Sequence, residues 1–272
     1  MRLAGPNVFG APDDPAAAVA VLRAAVAAGV DHIDTAQYYG PDVVNELIHE
    51  ALHPYPPGLA IVSKVAARRD AAGRVLPFDD PDQLRTGIED NLRTLNVDQL
   101  AAVNLRLLGD GRVDARFDDQ LAAMVKARDD GLIGGVGLSN VALGQLRHAL
   151  RGTDIVCVQN LFHLADRRDA PVLAECLARG IGYVPFFPLG WPRGAANPVL
   201  TNPVVLATAA RLGVTPAQVA LRWLLLLSPN ILLIPGTASL RHLHENVGAE
   251  DVLLDEQALS DLDAVGVAAG SG

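Results

Sequence analysis

The sequence predicts an α/β chain of the (β/α)8 TIM-barrel class. Three observations carry that expectation. Short apolar runs alternate with helical segments along the 272 residues. The runs are continuous rather than alternating, which is the pattern of parallel strands buried on both faces. Each run also ends in a polar or turn residue able to do chemistry, and a closed β/α array gathers all its strand C-termini on one face. The length suits one barrel of ~250 residues. No linker, repeat or low-complexity segment interrupts it, so residues 1–272 are read as a single domain.

The elements follow in order. Asp14-Pro15 opens a helix, an N-cap residue before a proline that has no N–H to leave unsatisfied there, and Gly29 stops it. A strand from Val30 leads through VDHIDTAQYYG to Asp34 and Tyr39. AIVSKV, from Ala60, ends on Lys64, and Asp80-Pro81 caps the next helix. A run from Leu100 ends on Arg106, and GVGLSN, from Gly134, ends on Ser139 and Asn140. IVCVQN, from Ile155, ends on Gln159. YVPFFPLG follows Gly182 and carries Phe186 and the Leu189-Gly190 turn. Asn202-Pro203 and Thr215-Pro216 cap two more helices, with Gly213 between them. NILLIPGT, from about Ile231, ends on Gly236 and Thr237, and helical stretches at 239–248 and 255–264 close the chain. That makes seven strands where a barrel needs eight. Only MRLAGPNVFGA precedes the first helix. Residues 1–10 are therefore not expected to form a full first strand. The barrel is read as shortened at its N-terminus or imperfectly closed there.

Composition narrows the function. The net charge is −9 and no basic block is present, which argues against a nucleic-acid or membrane-surface partner. The two cysteines, Cys157 and Cys176, fall in a strand and a helix. They suit a reducing cytoplasm better than a disulfide framework. No signal peptide is apparent, and Trp223–Leu227 and Ile231–Ile234 are far short of the ~20 residues of a membrane helix. A soluble cytoplasmic protein is expected.

Asp34, Tyr39, Lys64 and Arg106 belong to one chemistry. A tyrosine with a free pKa of ~10 is a weak acid at neutral pH. A nearby ammonium favours the phenolate, and a carboxylate beside the lysine holds that ammonium in place. Such a tyrosine can protonate a carbonyl oxygen as hydride reaches the carbon. No metal or flavin signature supplies the hydride, so a nicotinamide is the simplest donor.

DTAQYYG, the lysine of IVSKV, GLSN, VQN, FFPLG and IPGTASLRHLHEN match, in order and spacing, motifs of the aldo-keto reductase superfamily. The chain resembles that superfamily from about residue 1 to residue 265. The resemblance implies an aldo-keto reductase barrel that reduces a small aldehyde or ketone with NADPH ahead of NADH. It implies that Asp34, Tyr39 and Lys64 are catalytic, with Tyr39 the acid. Ser139, Asn140 and Gln159 would hold the nicotinamide carboxamide. Phe186 would stack on the nicotinamide, and Leu189 and Gly190 would form the pyrophosphate loop. Gly236, Thr237, Ser239, Arg241 and His242 would lie along the 2′-phosphate segment, with Glu245 and Asn246 at adenine. Gly236 stands where many relatives carry lysine. Arg106 stands where the family usually has histidine; it cannot shuttle a proton, and it is read as the fourth catalytic residue, orienting and polarising the carbonyl. VNLRLLGDG resembles a small bacterial branch, similar to pyridoxal reductases, that also carries arginine there, which makes pyridoxal a specific candidate substrate. The family's N-terminal hairpin and nearly all of its first strand have no counterpart here.

Each residue also has a plainer reading. Tyr38 and Tyr39 could be turn residues, Lys64 a Schiff-base lysine and Arg106 an ion-pair partner for Asp34. His242 and His244 form an HxH pair but lack a third ligand, so they read as surface and no metal is expected. His32 reads as a packed strand residue, Cys157 as inert and Asp110 as a turn residue. Strand alternation would send Phe186 and Phe187 to opposite faces. A nicotinamide-binding regulatory or sensor protein with little turnover is the rival to an enzyme.

Overall fold

The computed structural model describes residues 1–191 and 197–265. These fall into two compact units, one of Met1–Gln159 with Gly236–Leu240, the other of Asn160–Pro235 with the chain from Arg241 onward.

The first unit is built on a parallel sheet. Its strands are β1 (His32–Asp34), β2 (Ala60–Arg69), β4 (Ala102–Arg106), β5 (Val136–Ser139) and β6 (Cys157–Gln159), paired in that spatial order, with β3 (Val75–Phe78) antiparallel on the far end of β2. Helices α1 (Pro15–Ala27), α2 (Val43–Leu52), α3 (Pro81–Leu95), α4 (Ala115–Asp129) and α5 (Leu143–Ala149) alternate with them. The continuous apolar runs are indeed buried on both faces: β5 is buried throughout and β4 from Ala102 to Leu105. The caps form as the sequence predicts. The Asp14 side chain accepts from the Ala17 amide at 2.9 Å, and Gln83 accepts from the Asp80 amide at 3.3 Å. Gly29 takes a left-handed φ of 93° just beyond α1.

Residues 1–10 form no strand. Pro6–Val8 make a single 3-10 turn, and Phe9 forms one isolated bridge with Gly40. The β2–β3 hairpin is absent from the sequence reading, which ended its strand at Lys64. β2 instead runs five residues further, and Asp70 closes the turn by accepting from the amides of Ala72 and Arg74.

The second unit contains α6 (Ala170–Arg179), β7 (Gly182–Tyr183), α7 (Pro203–Leu212), α8 (Pro216–Leu227), most of α9 (Leu240–Val247) and α10 (Glu256–Val265). Asn202 and Thr215 cap their helices through the Val204 and Gln218 amides. α7 and α8 meet at 98°. Arg211 grips Asp255 with two bonds of 2.6 and 2.9 Å, and Trp223 donates to Asp263 at 2.8 Å. The expected strand at Ile231–Ile234 is reduced to one bridge between Ile231 and Tyr183. β7 supplies only two residues, and Pro185 just beyond it has no N–H to extend a ladder. No single described helix is long and apolar enough to cross a membrane.

Candidate active site

Three strand ends of the first unit and one position within a strand carry the site. Asp34 closes β1, Lys64 lies on β2, Arg106 closes β4 and Gln159 closes β6, while Tyr38 and Tyr39 follow β1 in the next loop. Register aligns Arg106 with Ser139 and Ser139 with Gln159 across neighbouring strands. Residues far apart in sequence therefore reach one edge of the sheet.

Asp34 and Lys64 form a buried ion pair, their side chains 7% and 3% exposed. A buried pair stays intact only if its remaining hydrogen-bonding capacity is met. Here Gln159 Nε2 donates to Asp34 Oδ2 at 2.8 Å, and Lys64 Nζ donates to the Thr35 carbonyl at 3.0 Å. Lys64 Nζ also lies 5.5 Å from the centre of the Tyr39 ring. Since Asp34 is held by Lys64 and Gln159, Arg106 is turned elsewhere. Its guanidinium carbon sits 4.8 Å over the Tyr38 ring, and it pulls the Tyr39 pKa down.

Both tyrosines are buried, 4% exposed each, with ring centres 5.0 Å apart and nearly perpendicular. Burial, then the Asp34 charge, raises the Tyr39 pKa above the free value, while Arg106 and the Tyr38 side chain pull the other way. Tyr39 thus keeps its proton at neutral pH, and Arg106 is the cation that favours its loss.

A second polar cluster lies behind the pair. Thr35 Oγ1 donates to Asn45 at 2.8 Å, Asn45 donates to Asn91 and Thr94 at 3.0 Å each, and Ser63 Oγ donates to Asn91 at 2.6 Å. Thr35, Asn45, Ser63 and Asn91 are wholly buried. These residues and Tyr38 were not singled out for function from sequence. The tandem tyrosine of DTAQYYG beside a strand-end arginine was the available signal.

Several polar atoms at this edge are buried and unpartnered: Ser139 Oγ, Arg106 Nε and, one residue pair below, Asn104 Nδ2. Asn140 takes a left-handed φ of 56°, and its amide donates to the Gln159 carbonyl at 3.1 Å. In the same unit the Ser239 amide donates to Thr237 Oγ1 at 3.0 Å, and a side chain at Gly236 would press on Arg2 Cγ at 3.3 Å.

The other sequence-predicted residues lie in the second unit. Phe187 has a left-handed φ of 52°, so strand alternation does not govern Phe186 and Phe187; their rings meet edge to face at 5.3 Å. Gly190, adjoining Leu189, has a φ of 74°, and a Cβ there would meet Val199 at 3.0 Å, so only glycine fits this turn. Arg241 is held by Glu245 at 2.5 Å and by His242 at 2.8 Å, and Asn246 reaches the Pro235 carbonyl at 3.4 Å. His242 and His244 are both exposed on α9. Burial raises the Cys157 thiol to about 12, and Asp110 pairs with Arg112 in its turn, as the plainer readings expected.

The model of the Aldo/keto reductase family matches residues 1–267. The chain belongs to this family. It is therefore an NAD(P)H-dependent oxidoreductase by membership. Among its relatives, pyridoxine 4-dehydrogenase of Escherichia coli is 46% identical over 268 residues, covering 97% of this chain and 92% of that enzyme. An uncharacterized oxidoreductase of Schizosaccharomyces pombe is 34% identical, covering 98% and 84%. A thermostable aldo-keto reductase crystallised with the inhibitor epalrestat is similar with a TM-score of 0.80 and 28% identity, covering 98% and 94%. An aldo/keto reductase of Klebsiella pneumoniae in complex with NADP and acetate gives 0.76 and 28%, covering 92% and 85%. The fold class is thus the α/β barrel type that the sequence predicts.

Proposed function

We propose that this family member reduces a small aldehyde to its alcohol with NADPH, that Tyr39 is the general acid, and that pyridoxal is the substrate to test first. The observation that carries the chemistry is the Tyr39 phenol, buried with its proton between Arg106 and the Lys64–Asp34 pair. The similarity to an enzyme named for dehydrogenating pyridoxine at position 4 supports pyridoxal, the aldehyde at that carbon.

The residues present fit a nicotinamide cofactor. Ser139 Oγ is buried without a partner at a strand end, where a carboxamide would satisfy it. Asn140 and Gln159 stand beside it in register. By resemblance of motif, Phe186 is assigned to the ring, Leu189 and Gly190 to the pyrophosphate, Gly236, Thr237, Ser239, Arg241 and His242 to the 2′-phosphate segment, and Glu245 and Asn246 to adenine. The structures of the Klebsiella pneumoniae relative with NADP and NADPH support that cofactor. When bound, the nicotinamide supplies hydride to the carbonyl carbon.

The chain's own residues handle the proton. Arg106 donates to the carbonyl oxygen and polarises it. The Tyr39 O–H bond breaks as negative charge grows on that oxygen, and its proton completes the alcohol. Arg106 stabilises the phenolate that remains until solvent reprotonates it. Lys64, fixed by Asp34 and the Thr35 carbonyl, adds a second positive charge near the ring.

The test is NADPH consumption over an aldehyde panel that includes pyridoxal, with Tyr39→Phe alongside. General acid catalysis contributes ~10²–10⁴-fold, so Tyr39→Phe should lose about that much turnover while binding NADPH normally. A Tyr39→Phe protein as fast as the parent would exclude Tyr39 as the acid. NADPH binding without turnover of any aldehyde would favour the sensor reading.

A further inference from the structure

Tyr38 has no role in the chemistry so far, yet it is as buried as Tyr39. Its ring stands nearly perpendicular to that of Tyr39 at 5.0 Å, and the Arg106 guanidinium lies 4.8 Å over its face. A cation over an aromatic face is held by the ring quadrupole, more strongly when water is excluded. Arg106 Nε is buried and finds no hydrogen-bond partner, so the ring face is one of the few attractions fixing this end of the side chain. The Tyr38 side chain, for its part, favours loss of the Tyr39 proton, as a donor beside that oxygen would.

We infer that Tyr38 is a positioning residue that acts in two ways, its ring seating Arg106 and its hydroxyl donating to the Tyr39 oxygen as that oxygen becomes a phenolate. This rests on Tyr39 being the acid. As Tyr39 gives up its proton, its oxygen changes from shared donor to pure acceptor. Two donors then face it, the Tyr38 O–H and an Arg106 N–H. Both bonds strengthen as charge develops, because hydrogen bonds to an ionised oxygen are worth roughly twice neutral ones. No proton leaves Tyr38 in this scheme, and the Tyr39 proton ends on the substrate oxygen. In place of an imidazole that could itself exchange a proton, the site has an arginine that cannot. The phenolate is therefore stabilised by two fixed donors.

Other charged and titratable groups face this cluster and must be allowed for in its pH dependence. They are Asp34 and Lys64, with His32, Cys157 and the Met1 α-amine around that pair. Burial depresses the α-amine to about 5 and raises the Cys157 thiol to about 12, so neither titrates between pH 7 and 10.

The decisive variant is Tyr38→Phe, which keeps the ring under Arg106 and deletes only the hydroxyl. The readout is the pH profile of alcohol oxidation, which needs Tyr39 ionised to accept the proton. Loss of one hydrogen bond to a charged oxygen should move the alkaline midpoint up by about one to two pH units and lower kcat/KM for aldehyde reduction about tenfold or more. NADPH affinity should be unchanged. Arg106→Met, which deletes the other donor, should move the midpoint in the same direction. Tyr38→Leu removes ring and hydroxyl together and should be slower than Tyr38→Phe. If Tyr39→Phe is inactive while Tyr38→Phe keeps the parental midpoint and rate, the inference fails and the Tyr39 assignment stands. A Tyr38→Phe protein that only melts lower, with an unmoved profile, assigns Tyr38 to packing and also overturns it. An active Tyr39→Phe protein overturns both readings at once.

Discussion

Asn91 offers a measurable test of how the buried Lys64–Asp34 pair is held. It lies wholly buried on α3, and its Oδ1 accepts from Ser63 Oγ at 2.6 Å and from Asn45 Nδ2 at 3.0 Å. Asn91→Ala strips the acceptor from both. Asn45 Nδ2 still reaches Thr94, but the buried Ser63 hydroxyl loses its acceptor. An orphaned buried donor costs ~1–3 kcal/mol, and the lost Asn45 bond adds ~0.5–1.5 kcal/mol. The expected destabilisation is therefore about 2–4 kcal/mol, or roughly 4–16 °C in Tm at about 2–4 °C per kcal/mol. Ser63→Ala alone leaves Asn91 bonded to Asn45 and should cost only ~0.5–1.5 kcal/mol. In the double variant nothing at residue 63 is left unpaired, so its cost should fall short of the sum of the singles by about 1–2 kcal/mol. Urea and thermal melts of the four proteins measure the cycle. Additivity within ~0.5 kcal/mol, or an Asn91→Ala cost below ~1 kcal/mol, would refute the idea that this network is a cooperative clamp.

Two further outcomes follow from the structure. NADPH should bind more tightly than NADH in fluorescence titrations, and Arg241→Ala should weaken NADPH alone, by about tenfold for one exposed charged hydrogen bond; equal weakening of both would remove Arg241 from the 2′-phosphate. All four tyrosines of the cofactor-free protein have pKa values raised by burial, Tyr55 to about 12, so without cofactor absorbance at 295 nm should show essentially no phenolate at pH 10 in the native protein and about half in urea. Because the folded values lie above the unfolded ~10, the stability they confer is whole below pH 10 and drains away as pH rises through the folded values.

The strand ends were legible because parallel strands announce themselves as continuous apolar runs, and the residue that closes each run is the one delivered to the edge that carries the candidate site. Asp34, Arg106 and Gln159 share one edge for that reason, and Lys64 reaches Asp34 from within β2, which runs on past it. The hairpin was not legible, because past Lys64 the apolar run gives way to AARR, which reads as a strand ending. Only the Asp70 turn, which binds two amides, folds β3 back onto β2. At Ile231 the error ran the other way. The apolar run was real, but its two-residue neighbour β7 and Pro185 limit what it can pair with. Composition reports burial; it does not report whether a partner has amides to offer.

The same distinction bears on the two cations, since the sequence assigns Lys64 to tune the acid and Arg106 to orient and polarise the carbonyl, with an Asp34 ion pair as the plainer reading of Arg106. Spacing brings both cations to the edge, but it does not say which one the carboxylate claims. Asp34 has two oxygens, and Lys64 and Gln159 take one each. Arg106 is thereby left for the aromatic pair, where its guanidinium sits over Tyr38 and pulls the Tyr39 pKa down. A lysine in that place could supply charge but not a planar fork. Arg106 and Tyr38, the first tyrosine of DTAQYYG, therefore form one device, and replacing either alone should damage the other's contribution.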